Sequence, residues 1–463
     1  MINPFGYIFI LVICFVFFRS RTSKELFINF LKFELLYSIF KLNYGFFIYI
    51  GDSEIQYGDI VLGVTFVTAM IRISFIELNR RLLISCFYLF CIIGTGRLIL
   101  RFNPADVQTI DINSSWDLYL RGVTGEMKSV SFSFQSILMY IRVCFFIVII
   151  LIAKSSIATI EWIQILNFLT TAAKIILIFG LIEILIKYGL GYDLNEFLQI
   201  IFGRGMATGG DETRLQGFSR EPSYYALALF NIIILFIVNI KLRNRPNEKL
   251  MWLIITVLIG LNASAYSFYL VIVSSITLAI GIFSTSVGRV NIKRFSLILI
   301  LGMFFLFMFG TFSLTMNSYI LYRTIDALKQ ISQASAGTYT IGVDFGSVAS
   351  RLIGIIESFK SYTVRPIIGL GLGTVYCLSG LVSILANIGL IGFIIWIRLL
   401  TVSYFKLNLL LTISLLSPIL LTNDLSSLYD TAYIAIIPFL FLAVNDLPKN
   451  YPDRKNEKNY NTN

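Results

Sequence analysis

Histidine is absent from this 463-residue chain, and cysteine is scarce: Cys14, Cys86, Cys91, Cys144 and Cys377 stand at unrelated spacings, mostly within apolar segments. Without imidazole or clustered thiols, neither a zinc site nor a disulfide framework is expected, and no metal or cofactor is implied. Charge is sparse as well, with Asp, Glu, Lys and Arg at 14% and acids (26) outnumbered by bases (37). Apolar residues take their place, at 57% with 15% aromatics and a mean hydropathy of +0.82, well beyond a soluble domain.

The apolar residues come in unbroken runs of roughly 16 to 25, long enough to cross a bilayer and without the alternation of barrel strands. Only helices and closed barrels satisfy their backbone in lipid, so the expected fold class is all-α, a polytopic integral membrane protein. Candidate spans are 3–18, 26–50, 57–76, 82–100, 132–153, 163–187, 222–240, 295–312, 375–398, 406–422 and 431–445. The run 251–283 is too long for one helix and is broken at Asn262-Ala-Ser-Ala-Tyr-Ser267, which reads as two short helices that go out and return. The total is about twelve or thirteen helices. The N-terminal run has its positive charges after it (Arg19, Arg21, Lys24) and reads as a first span rather than a signal peptide.

Lysine and arginine gather at Arg80-Arg81, between Lys241 and Lys249, between Arg289 and Arg294, and in the tail, which marks those sides as cytoplasmic. The long connections 189–221 and 313–373 then fall on the outer face. Residues 1–160 form the expected N-terminal helices, 161–445 a catalytic membrane core and 446–463 a cytoplasmic tail. Placing Arg19, Arg21 and Lys24 inside makes the count odd, and 26–50, with Lys32, Glu34 and Lys41, either spans or lies partly along the interface. The net charge of +11 is in part the ordinary positive-inside excess, with membrane lipid as partner and no nucleic acid. Arg97, Arg101, Arg142, Arg204, Arg214, Arg220, Arg351 and Arg365 lie at or beyond outer span ends, where that bias expects few, and suggest an anionic ligand.

The loop Arg214-Leu-Gln-Gly-Phe-Ser-Arg-Glu-Pro-Ser-Tyr-Tyr-Ala226 carries the sharpest signal. Pro222 suits the first position of a helix, with Glu221 as its cap, so the positive helix end would stand beside Arg214 and Arg220 and favour a phosphate. Glu221 either takes a proton from a sugar hydroxyl, positions an arginine, or merely caps. In 313–373, stretches at helical spacing read as amphipathic helices roofing a cavity, where Tyr319, Tyr322, Tyr339 and Tyr362 would stack on sugars or simply belong to the aromatic belt. Gly369-Leu-Gly-Leu-Gly373 after Arg365-Pro366 either exposes N–H groups to phosphate or forms the turn into the next span. Lys174, Glu183 and Arg142 are ionisable groups inside spans, and Lys174 and Glu183, nine positions apart, face opposite ways and do not pair with each other.

Arg214-x-x-Gly217-x-x-x-Glu221-Pro222 before a span, the break at 262–267, Ser350-Arg351, Pro366-x-x-Gly-x-Gly-x-Gly373 and Leu385-x-x-x-Gly389-x-x-Gly392 occur in that order. Over roughly residues 160 to 400 this resembles the O-antigen polymerase and O-antigen ligase superfamily. The resemblance implies a metal-independent glycosyltransferase of the GT-C type in the bacterial inner membrane. It would transfer a growing glycan from undecaprenyl pyrophosphate to an undecaprenyl-linked repeat unit at the periplasmic face, with a chain-length regulator as a further partner. By position Arg214 and Arg351 would hold the donor pyrophosphate, with Arg204, Arg220 and Arg365 nearby, and would stabilise it as leaving group. Ligases of the superfamily carry a histidine just before the Leu-x-x-x-Gly-x-x-Gly stretch, where this chain has Leu378-Ser379-Gly380. That departure favours the polymerase over the ligase and leaves a carboxylate such as Glu221 or Asp344, or no group, as base. A lipid-linked oligosaccharide flippase is the other alternative, although no internal repeat is visible.

Overall fold

The computed structural model describes residues 4–42, 48–50, 53–73, 83–84, 87–88, 90–91, 94, 108–109, 128–129, 134–192, 194, 215, 217–219, 222–242, 246–263, 359, 362–371, 380–398, 435–436, 438–440 and 442. Within them the protein is mostly helical: α1 (Pro4–Arg19), α2 (Ser23–Phe40), α3 (Tyr57–Ile73), α4 (Phe134–Ser156), α5 (Thr159–Ile184, continued by a π-helical turn Leu185–Leu190), α6 (Pro222–Lys241), α7 (Pro246–Ala263) and α8 (Gly380–Arg398). Two short antiparallel ladders interrupt the all-α expectation, β1 (Ile48–Ile50) with β2 (Ser53–Ile55), and β3 (Gln108–Thr109) with β4 (Lys128–Ser129).

Among the described residues, two helices are long and apolar enough to cross a membrane, Thr159–Lys187 and Tyr224–Lys241. They sit differently. Every residue of α6 from Tyr225 to Asn239 is buried, as a helix apolar on all sides requires. On α5 the buried face (Trp162, Ile165, Leu166, Leu169, Ala173, Ile176, Leu177, Gly180) follows helical spacing, while Ile160, Ile175, Ile178, Ile182 and Leu185 point outward. An apolar outward face of that kind suits lipid or another protein surface better than water.

Named contacts set the register around α6. Lys24 pairs with Glu161 (2.7 Å) and the Lys32 ammonium stands 5.9 Å from the Phe168 ring centroid, so α2 and α5 run parallel and in step. Asn239 donates to Thr170 Oγ1 (2.9 Å) at one end of α6, and Tyr225 packs on Gly180 at the other, so α6 runs antiparallel to α5. Asn231 Nδ2 reaches the Ile39 carbonyl of α2 (2.9 Å). On the other side of α2, Thr65 of α3 donates to the Phe30 carbonyl (3.3 Å), and Phe66 stacks on Phe145 of α4 with centroids 3.8 Å apart.

The expected run 26–50 is corrected here. Thr22 opens α2 by accepting the Glu25 N–H (3.1 Å), and Lys41 ends it in the left-handed conformation (φ 51°), its N–H returned to the Tyr37 carbonyl. One face of the helix packs inside the protein: Phe27, Phe30, Leu31, Glu34 and Leu35 are all buried. Ser38 meets one oxygen of the buried Glu34, its hydroxyl donating to Oε1 (2.9 Å), while Oε2 is buried with no hydrogen-bond partner among the described residues. Of the expected break in 251–283, only Asn262 and Ala263 are described, and both are helical as the last residues of α7.

Candidate functional site

Arg204, Arg214, Arg220, Glu221, Arg351, Tyr319, Tyr339 and Asp344 lie outside the described residues, and so do Arg97, Arg101 and Tyr322. The described neighbours of these positions fall in two places: the segment leading into α6, and the approach to α8.

α6 begins at Pro222, as expected from proline's fit to the first helical position. Immediately before it, residues 217–219 are docked against two helices, and Leu215 is fully buried. The Gly217 N–H donates to Glu183 Oε2 of α5 (2.9 Å), and the Phe218 ring stacks on Phe179 of the same helix with centroids 4.0 Å apart. Ser219 Oγ donates to the carbonyl of Lys41 (3.2 Å), the residue that caps α2. Gly217 has φ +56°, and a Cβ there would stand 2.5 Å from the Tyr225 ring. A Cβ at Gly180 would collide with the Tyr225 hydroxyl, so one tyrosine lies wedged between two glycines. That hydroxyl is buried and has no hydrogen-bond partner among the described residues.

The second place is a backbone crossing. α8 is broken at Gly389 (φ 65°, ψ −178°), which orphans carbonyls before the break and N–H groups after it. The segment 366–371 supplies what is missing. Leu370 and Gly371 N–H donate to the Ala386 and Asn387 carbonyls (both 2.8 Å), while Leu390 and Ile391 N–H donate to the carbonyls of Pro366 (2.8 Å) and Ile367 (3.2 Å). Interior backbone is tolerated in apolar surroundings only when satisfied this way. The motifs Pro366-x-x-Gly-x-Gly and Leu385-x-x-x-Gly389-x-x-Gly392 are thus two halves of one structure. Gly369 N–H closes a turn on the Arg365 carbonyl (2.9 Å). The N–H groups of Gly369, Leu370 and Gly371 are thus all spent on carbonyls rather than free to cradle a phosphate, while Leu372, Gly373 and the expected turn into the next span lie outside the described residues. Arg365, half-buried, opens this turn, and Tyr362 lies near Phe359 at 5.8 Å between centroids.

The interior ionisable groups have acquired partners. Arg142 forms a two-point pair with Asp59 (Nε–Oδ1 and Nη2–Oδ2 both 2.6 Å), which corrects its place among cations awaiting an anionic ligand. Lys174 pairs with Glu248 in the first turn of α7, and its ammonium stands 5.9 Å from the Trp252 ring centroid. Lys174 and Glu183 serve different partners, as their opposite faces required. Among the described residues no three His, Cys, Asp or Glu side chains gather as metal ligands. No family model matches the chain, and no curated protein matches it.

Sequence reasoning missed Glu183 as a clamp, Tyr225 as a wedge and the joining of the two glycine motifs. The sequence marks Gly217 only as the residue that the loop needs for its left-handed turn, not the partner of its N–H.

Proposed function

We propose that this chain is an O-antigen polymerase: a multi-pass inner-membrane glycosyltransferase, of the GT-C type and with about twelve or thirteen helices, that extends a lipid-linked glycan at the periplasmic face. The observation that carries the reading is the crossing at Gly389. It ties together two separated motifs on which the resemblance to the polymerase and ligase superfamily rests, through four main-chain hydrogen bonds. The docked segment before Pro222 supports it as well, since it is the sequence neighbour of Arg214, Arg220 and Glu221.

In the proposed reaction an acceptor sugar hydroxyl attacks the anomeric carbon of the donor, whose bond to the pyrophosphate oxygen breaks. Undecaprenyl pyrophosphate leaves with the bonding electrons, and Arg214 and Arg351 would stabilise that charge, with Arg204, Arg220 and Arg365 adding to the field. The hydroxyl proton passes to a carboxylate, Glu221 or Asp344, or to water. Tyr319 and Tyr339 are the proposed glycan contacts.

The pairing of Arg142, Lys174 and Glu183 within the fold argues for a scaffold rather than a charged path through the bundle, which disfavours the flippase. The test is the lipopolysaccharide gel profile of a strain lacking this gene, with and without its restoration. Core bearing a single repeat unit, with the ladder returning on restoration, is the expected result. Bare core with no unit would overturn the reading in favour of ligase or flippase.

A further inference from the structure

A carboxylate in an apolar interior is costly unless its lone pairs are used, and it persists where something depends on it. Glu183 is fully buried on α5, three residues beyond Gly180, and accepts the Gly217 N–H at 2.9 Å. The next two residues of the loop are held independently, Phe218 by the Phe179 ring and Ser219 by the Lys41 carbonyl. Three successive residues are therefore fastened to two helices, and of these fastenings only the one at Gly217 holds the main chain itself. A main-chain N–H bound to a carboxylate fixes the plane of its peptide, and Gly217 cannot compensate by shifting, because the Tyr225 ring fills the space beside it.

We propose that Glu183 is a positioning residue for the donor-pyrophosphate site: by holding the Gly217 peptide it sets the register of the segment that Arg214 precedes and Arg220 follows. The proposal rests on the reading that these arginines bind the donor. Glu183 itself touches no substrate. Its carbonyl-like acceptor is the essential feature, so glutamine substitutes for it and alanine does not.

The test uses the full-length protein in membranes, its five cysteines replaced by serine, carrying Ser219→Cys as reporter. Labelling of that thiol by a maleimide reads docking, because Ser219 is buried in the wild-type fold. Transfer is read with lipid-linked repeat units extracted from a strain lacking this gene. With Glu183→Ala, labelling accelerates and KM for the donor rises about tenfold with kcat changed less, the loss expected of one hydrogen bond. With Glu183→Gln both stay near wild type. If Glu183→Ala does not accumulate, Glu183→Asp, one methylene short of Gly217, takes its place with the same expectations.

An unchanged labelling rate in the alanine variant would overturn the clamp, as would a glutamine variant as impaired as alanine. Arg214→Ala with a wild-type donor KM would instead remove the donor-site reading, whatever the labelling result, so the two failures are separable.

Discussion

Gly369 and Gly389 face each other backbone to backbone: a Cβ on Gly369 would come within 2.6 Å of the Asn387 carbonyl carbon, and one on Gly389 would strike the Ile367 carbonyl. Both residues also have φ in the left-handed region, at +78° and +65°. Gly369→Ala and Gly389→Ala should each destabilise the protein by about 2–4 kcal/mol, combining backbone strain with overpacking against main chain that cannot yield. Thermal unfolding in detergent micelles checks this; a variant melting within a degree of wild type would contradict the crossing.

Tyr225 should respond in the opposite sense. Its hydroxyl is buried without a partner among the described residues, so Tyr225→Phe removes an unsatisfied polar group while keeping the ring between Gly180 and Gly217. The expected gain is about 1 kcal/mol or more. Gly217→Ala, which places a methyl group against that ring, should cost about 1–3 kcal/mol. Comparing the two melting temperatures gives the sign of each.

The side chains of the pair Arg142–Asp59 are 32% and 22% exposed, so its two bonds are partly screened. Arg142→Ala should cost about 1–2 kcal/mol after that discount. Asp59 also accepts the Gln56 N–H (2.9 Å) in the first turn of α3, where an anion suits the helix end. Exchanging the charges, Arg142→Asp with Asp59→Arg, should therefore fail to restore stability, as a double-mutant cycle would record.

Arg214→Ala and Arg351→Ala should each abolish polymer while leaving the protein in the membrane at wild-type amounts. Gel profiles beside an immunoblot of membrane fractions report both. Wild-type ladders from either variant would take that arginine out of the proposed site.

Much of the helical layout was legible because its signals are local. Pro222 announces the start of α6 by its ring geometry, and the apolar runs 57–76, 132–153 and 163–187 coincide closely with α3, α4 and α5. α2 was harder, since Lys32, Glu34 and Lys41 obscure its buried face, which places Glu34 inside with Ser38 one turn away donating to one of its oxygens. The partners of Glu183, Lys174 and Arg142 lie 34, 74 and 83 residues away, and no periodicity encodes such separations. The same holds for the two glycine motifs. Each reads as a turn alone, and the four bonds between them exist only once both backbones have adopted positive φ.

α6 is enclosed by neighbours from both directions along the chain, with α2 and α5 made before it and α7 after it. During synthesis the first two must therefore wait with an apolar cleft open until residues 222–241 emerge to fill it. A ribosome stalled before Pro222 would leave that cleft facing lipid or another chain. Such a truncated product should be recognised and degraded, so the abundance of C-terminal deletions ought to fall abruptly at the start of α6 rather than decline gradually with length.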